Sequence, residues 1–230
     1  MTGWTEFALA LALFAGSHFL SRIGGLRGML IGMAGRRAYF AAYGVMSVAL
    51  LVWVISAALR APYAELWPQL PWMRWIPNIA MPAAVVLASC GFRLRQPFTL
   101  GARRCAAFDP HDPGFAAISR HPLLLALGLW AGAHLVPNGD VAMAVLFGSF
   151  LVMAAAAIPA FDAKARRVLG GEAGAFFGCT SILSLKPLVH RGWLRRNGRA
   201  TAPRALVGLL LWVVLLHLHG PVIGASPFPL

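Results

Sequence analysis

Six apolar segments dominate the sequence, and each comes close to the length that crosses a lipid bilayer. They lie at about 4–21, 39–59, 76–92, 122–138, 141–161 and 204–223. A helix needs about 20 predominantly apolar residues to span the hydrocarbon core. Only 12% of the residues are charged, roughly half the share found in soluble domains. The sequence therefore predicts an all-α, polytopic membrane helical bundle with about six transmembrane helices, forming a single transmembrane domain over 1–230.

The third segment is the weakest of the six, because it is short and contains Pro77 and Pro82. Proline is tolerated at the start of a helix, since the N–H it lacks has no partner within the helix there. A further apolar run at 175–185 is too short to span. We expect that run to lie at the membrane surface or to re-enter the bilayer.

The basic residues are distributed unevenly among the connections between these segments. Eighteen of the 20 Lys and Arg residues fall in the first, third and fifth connections, and only Arg60 and Arg74 fall in the second. Cytoplasmic loops carry an excess of Lys and Arg, and this bias sets the orientation. Both termini are therefore predicted to lie outside the cytoplasm. Because membrane orientation explains the net charge of +13, the lipid bilayer is the expected partner and a nucleic acid is not.

The three cysteines, Cys90, Cys105 and Cys179, match no zinc or redox motif and are predicted to be free thiols.

Three of the seven histidines fall at membrane depth: His18, His121 and His134. Ionisable residues at such depth are rare and usually face the bundle interior or a cavity. A neutral imidazole is a common metal ligand, whereas the alternative role is a hydrogen bond between helices. The other four histidines are predicted to be solvated or interfacial: His111, His190, His217 and His219.

Helical geometry limits how these three histidines could share a site. His134 follows His121 by 13 residues, which is about 20 Å along a helix and about 140° around it. One small site cannot easily use both, so a pair must join His18 with one of them. The depth of His18 in the first segment does not decide between the two partners.

Neighbouring side chains indicate what such a pair could bind. Arg22 lies one turn from His18, Arg120 adjoins His121, and Trp130 lies one turn before His134. Arginine beside neutral histidine suits a ligand with an apolar body and acidic groups. Heme is such a ligand, because its propionates pair with arginines and its iron with imidazoles. Ordinary positive-inside charge is the alternative explanation of these arginines.

Several stretches covering nearly the whole chain resemble the NnrU family of bacterial membrane proteins. They are SHFLSR at 17–22, GRRAYFAAYGVMSVALL at 35–51, ISRHPLLLALGLWAGAHLVPNGD at 118–140, FDAKARRVLGG at 161–171, TSILSLKP at 180–187 and HGPVIGASPFP at 219–229. The block from SRHP to NGD is the most specific of these.

The resemblance implies a multi-pass protein of the bacterial inner membrane, with both termini periplasmic on the charge distribution above. The family's bacterial namesake is associated with denitrification and nitric oxide metabolism, so the resemblance implies a role of that kind. A related plant enzyme, zeta-carotene isomerase, holds heme b through two histidines and isomerises a cis double bond. Those two positions match His18 and His134 here. The isomerase has a cysteine three residues before its second histidine, where this chain has Ala131, so a redox switch at that thiol is not expected.

Three functional hypotheses follow. The first is a heme b protein that acts on nitric oxide or on a hydrophobic small-molecule substrate, as a heme-dependent cis–trans isomerase would. The second is a membrane methyltransferase that holds S-adenosylmethionine between the SRHP block and the region from Asp162 to Arg167. The third is a non-enzymatic accessory protein whose histidines only join helices.

Overall fold

The computed structural model describes residues 3–20, 25–102 and 108–228, apart from the side chain of Leu20. The helices in those ranges are α1 (Gly3–Leu20), α2 (Leu26–Ala34), α3 (Arg36–Arg60), α4 (Trp75–Gly91), α5 (Pro122–Leu135), α6 (Val141–Leu169), α7 (Ala173–Cys179), α8 (Lys186–Val189) and α9 (Arg191–Ile223). Short 3₁₀ turns lie at Pro71–Arg74, Gly114–Ala117 and Gly170–Glu172. The described residues form no strand, only an isolated bridge between Glu65 and Asp140. The all-α fold is therefore confirmed.

Four stretches of the described chain are long and apolar enough to cross a membrane: Arg36–Arg60, Pro71–Gly91, Val141–Cys179 and Arg191–Ile223. The predicted count of about six is thus not confirmed. The segment expected to be weakest, around Pro82, is among the four. The shortfall lies at α1, which is not among them, and at α5, which has 14 residues. Fourteen residues extend about 21 Å, less than the ~30 Å of hydrocarbon.

The surface of the long helices is apolar, as lipid contact requires. On α9 the side chains of Leu206, Val207 and Leu210 are 57%, 51% and 57% exposed. Large contiguous apolar patches are rare on soluble monomers. Inside a bilayer they face lipid tails, while the helix satisfies its own backbone hydrogen bonds. These helices therefore indicate a multi-pass membrane protein.

The chain divides into two compact units, and each is described by itself. The first unit comprises Met1–Pro68 and Asn138–Leu146. In it α1 pairs with α3 through Glu6, whose carboxylate accepts hydrogen bonds from Trp53 Nε1 and from Arg60. The start of α1 is so close to the end of α3 that a Cβ on Gly3 would lie 2.7 Å from the carbonyl oxygen of Arg60. Glycine is needed there for the two helices to meet.

The second unit comprises Gln69–Pro137 and Phe147–Leu230. In it α4 packs against both α5 and α9. Gly208 on α9 lets the helix backbones approach, since a Cβ there would lie 2.9 Å from Val86 Cα. Small residues commonly allow such close packing between membrane helices. A Cβ added to Gly128 of α5 would lie 3.8 Å from the Cβ of Ala154 on α6, an ordinary van der Waals distance, so that contact does not require glycine.

Candidate functional site

A cluster of buried polar side chains lies at the start of α5, in the second unit. We call it the polar network: Gln96, Thr99, Ser119, Arg120, His121 and Asp162. None of these residues is more than 8% exposed. Buried polar groups destabilise a fold unless they are hydrogen-bonded, so the pairing of each member determines what the network can do.

An ion pair between Arg120 and Asp162 forms the centre of the network. Arg120 Nε donates to Asp162 Oδ1 at 2.9 Å and Nη2 donates to Oδ2 at 2.7 Å. This two-pronged geometry is the strongest form of charge-assisted hydrogen bond in proteins. The Arg120 guanidinium also lies 5.1 Å from the centre of the Phe177 ring, in cation–π contact. Both charges are thus neutralised inside the protein.

His121 uses both of its ring nitrogens within the network. Nε2 lies 2.8 Å from Asp162 Oδ1, and Nδ1 lies 2.9 Å from Thr99 Oγ1. A neutral ring satisfies both contacts, with Nε2–H donating to the carboxylate and Nδ1 accepting from the threonine hydroxyl. Burial lowers the pKa of His121, and the hydrogen bond to Asp162 opposes that effect. His121 is therefore a structural partner of Asp162.

The backbone around His121 is fixed by its neighbours. Pro122 occupies the first turn of α5 and His121 is the N-cap, with φ −130°. The loop before α5 is held in place by two backbone hydrogen bonds. Arg120 N donates to Ser181 O at 2.7 Å, and Ser184 N donates to Ile118 O at 2.8 Å. The apolar run at 175–185 thus packs on this loop, with Phe176 buried.

Gln96 connects the network to the preceding loop. Its Nε2 donates to the Arg120 carbonyl oxygen, and its Oε1 accepts from Phe98 N at 2.8 Å. Its side chain therefore joins the loop after α4 to the loop before α5.

His134 lies further along α5, among aromatic rings. Its ring centre is 5.7 Å from Trp130, 5.4 Å from Phe147 and 6.4 Å from His219 on α9. His134 Nδ1 lies 2.8 Å from the Trp130 carbonyl oxygen, one turn earlier. That contact favours the tautomer with its proton on Nδ1. His219, predicted to be interfacial, lies beside His134.

His18 lies in the first unit, on α1. Its Nδ1 lies 2.8 Å from the Phe14 carbonyl oxygen, again one turn earlier. Its ring centre is 4.7 Å from that of Phe14 and 6.2 Å from that of Tyr43 on α3. Arg22, predicted to lie near a propionate, falls outside the described residues.

The structure brings together some of the residues that the sequence singled out. Arg120 and His121 meet Asp162, and Trp130 meets His134. His18 and His134 belong to different units, so their pairing stays a prediction. Within the described ranges, no group of three or more His, Cys, Asp or Glu residues is placed to hold a metal ion. Thr99 and Gln96 were missed by the sequence reasoning, since nothing marks a polar loop residue as buried.

Taken together, the fold and site define a multi-pass helical membrane protein with a buried ion pair at the start of α5. The family model described as NnrU protein matches residues 6–227. The chain therefore belongs to the NnrU family, which confirms the resemblance. No curated protein and no solved structure matches it significantly.

Proposed function

We propose that this NnrU-family protein binds heme b in the membrane, with His18 and His134 as the iron ligands. The observation that carries the proposal is the one-turn backbone contact that orients His18 and His134 and that His121 lacks. His121 uses both ring nitrogens in the polar network. His18 and His134 each direct Nδ1 to a backbone carbonyl at 2.8 Å.

That carbonyl contact suits an iron ligand. Metal-binding histidines usually donate one ring N–H to a carbonyl or carboxylate, which fixes the tautomer and orients the other nitrogen. The same contact occurs at His217, whose Nδ1 lies 2.8 Å from Val213 O on the exposed side of α9. The contact alone therefore does not mark a ligand, and His217 serves as a matched control.

The aromatic surroundings of His134 support a ligand with an apolar body, as a porphyrin has. Trp130, Phe147 and Phe150 pack around one another, with ring centres 5.3 and 5.5 Å from Trp130. Trp130 would contact the heme beside His134, and Arg22 stays the candidate partner for a propionate. Arg120, predicted for the same role, donates to Asp162 and would act by fixing the start of α5.

When bound, heme iron would supply a site for nitric oxide or for isomerisation of a cis double bond in a hydrophobic substrate. The residues around it would orient the iron ligands and exclude water.

The methyltransferase hypothesis expected the SRHP block and Asp162 to meet, and they do. Their side chains bind each other, however, and are at most 10% exposed. Because these side chains are buried and paired with one another, they leave no open surface among themselves for S-adenosylmethionine, and we favour the heme proposal.

The test compares the visible spectrum of the purified wild type with those of four single variants. The variants are His18→Ala, His134→Ala, His121→Ala and His217→Ala, expressed with ample heme. We expect a Soret band in the wild type and in His217→Ala, and its loss or large reduction in His18→Ala and His134→Ala. A pyridine hemochrome spectrum identifies heme b.

Other outcomes assign the site differently. If only His121→Ala loses the heme, the pair is His18 with His121. A wild type without heme would refute the cofactor assignment. Binding of labelled S-adenosylmethionine by that heme-free protein would then favour the methyltransferase hypothesis, and its absence would favour an accessory protein.

A further inference from the structure

A polar cavity of about 610 Å³ lies in the second unit, between the end of α4, the turn at Gly114–Ala117 and the first half of α9. Among the residues that the structure describes, four arginines line it: Arg93, Arg95, Arg196 and Arg204. We call it the arginine cavity. Its volume falls within the range of about 300–1,000 Å³ that is usual for small-ligand sites.

The acidic residues of the cavity already have partners. Asp112 accepts a hydrogen bond from Asn197 Nδ2 at 3.0 Å and lies 3.8 Å from Arg196 Nε. Asp109 accepts from the backbone N–H of His111 at 2.9 Å. Within the described lining, four positive charges thus face two carboxylates, and the excess is positive.

Arg93 and Arg95 carry that excess. Their guanidinium groups have no hydrogen-bond or ion-pair partner within the part of the chain that the structure describes, and both side chains are exposed. Arg93 also has φ +57°, the left-handed conformation that glycine adopts most readily. Side-chain-bearing residues held in that conformation cluster at ligand sites. An arginine at this position therefore indicates a role for its side chain.

The position of Arg204 indicates where the cavity lies relative to the membrane. Its Nη1 donates to the carbonyl oxygens of Cys90 and Phe92 at 3.3 and 3.2 Å, where α4 ends. Residues 205–223, which follow on α9, contain no charged side chain. The cavity therefore lies where two apolar helices leave the hydrocarbon, at the level of the lipid headgroups.

From this geometry we infer that the arginine cavity binds the phosphate of an anionic phospholipid. Guanidinium groups match phosphate oxygens with paired N–H donors, which a lysine cannot do. Basic pockets between membrane helices are known to hold anionic headgroups. The cavity lies at headgroup depth, so a lipid is favoured over a soluble phosphate ester. This site does not depend on the heme proposal.

The test titrates the detergent-solubilised full chain with phosphatidylglycerol or with phosphatidylcholine, and measures bound lipid by native mass spectrometry. The double variant Arg93→Gln/Arg95→Gln removes the two arginines that have no partner among the described residues. The control Arg191→Gln/Arg199→Gln removes the same charge from exposed positions of α9 that do not line the cavity. We expect phosphatidylglycerol to bind the cavity variant about tenfold more weakly, and the control and wild type to bind it alike.

Arg93→Gly provides a second variant in case the double variant folds poorly. Glycine favours φ +57°, so this change removes the guanidinium without opposing the backbone, and we expect weaker lipid binding with unchanged thermal stability. Wild-type binding by Arg93→Gly, or an equal loss in the cavity and control pairs, overturns the site. Displacement of the lipid by millimolar inorganic phosphate overturns the lipid assignment in favour of a soluble anion. Heme content, measured on the same samples, reports separately on the heme proposal.

Discussion

Replacing Asp162 with asparagine tests whether the polar network stabilises the fold. The change keeps the shape of the side chain but removes the negative charge that pairs with Arg120. The side chains of Arg120 and Asp162 are 10% and 8% exposed, so the remaining guanidinium stays buried and uncompensated. Breaking a buried pair in this way costs about 3–5 kcal/mol. For a chain of this size we expect the thermal midpoint to fall by about 6–20 °C.

A surface ion pair in the same chain provides the control. Arg196 and Asp112 lie 3.8 Å apart and are 56% and 45% exposed. Such pairs contribute about 0–1 kcal/mol, so Asp112→Asn should lower the midpoint by less than about 4 °C. Circular dichroism of the purified variants in one detergent, at one pH and lipid content, measures both shifts.

A double change distinguishes a lost charge pair from a general packing defect. Arg120→Met combined with Asp162→Asn leaves no buried charge unpaired, so it should cost less than the sum of the two single changes. Additive shifts, or equal shifts for Asp162→Asn and Asp112→Asn, would refute the argument that the ion pair stabilises the start of α5.

Three further predictions concern orientation, packing and pH. A reporter fused after the last residue should be periplasmic and one inserted near Arg196 cytoplasmic, as the distribution of Lys and Arg indicates; a cytoplasmic C-terminus contradicts the predicted topology. Gly208→Ala should destabilise the protein by about 1–3 kcal/mol through overpacking against α4, whereas Gly198→Ala, in open space on the same helix, should be neutral or stabilising in the same melting assay. Burial lowers the pKa of His121, so as pH falls the unfolded chain takes up a proton before the folded chain does. Stability of the folded protein should therefore decline below about pH 6.5. Thermal midpoints measured from pH 8 to 5 should decline less in His121→Gln than in the wild type, and identical profiles would contradict this.

Hydropathy located the long helices well but not their ends. The segment predicted at 204–223 is only part of α9, which begins at Arg191. Hydropathy marks the lipid-soluble part of a helix and misses its arginine-rich start, although arginine also favours helix. The segment at 122–138 is longer than α5, which ends at Leu135. Pro137 lacks the N–H needed to continue the helix.

The polar network shows where sequence reasoning stops. Arg120, His121 and Asp162 were all singled out, but as contacts of a bound heme or S-adenosylmethionine and not as hydrogen-bond partners of one another. Arg120 and Asp162 are 42 residues apart on different elements, and no local pattern pairs them. Gln96 and Thr99 resemble ordinary loop residues, and only the structure shows that they are buried against Arg120 and His121.

The same separation has a consequence for how the protein is made. Asp162 leaves the ribosome 42 residues after Arg120. At the usual synthesis rates of about 5–20 residues per second, that delay is about 2–8 s. During that interval Arg120 lacks Asp162, and the segment around Ser181 that binds its backbone has not yet been made. The start of α5 must therefore remain accessible to water or to the insertion machinery until α6 emerges, so the two helices are expected to settle into the membrane as a pair.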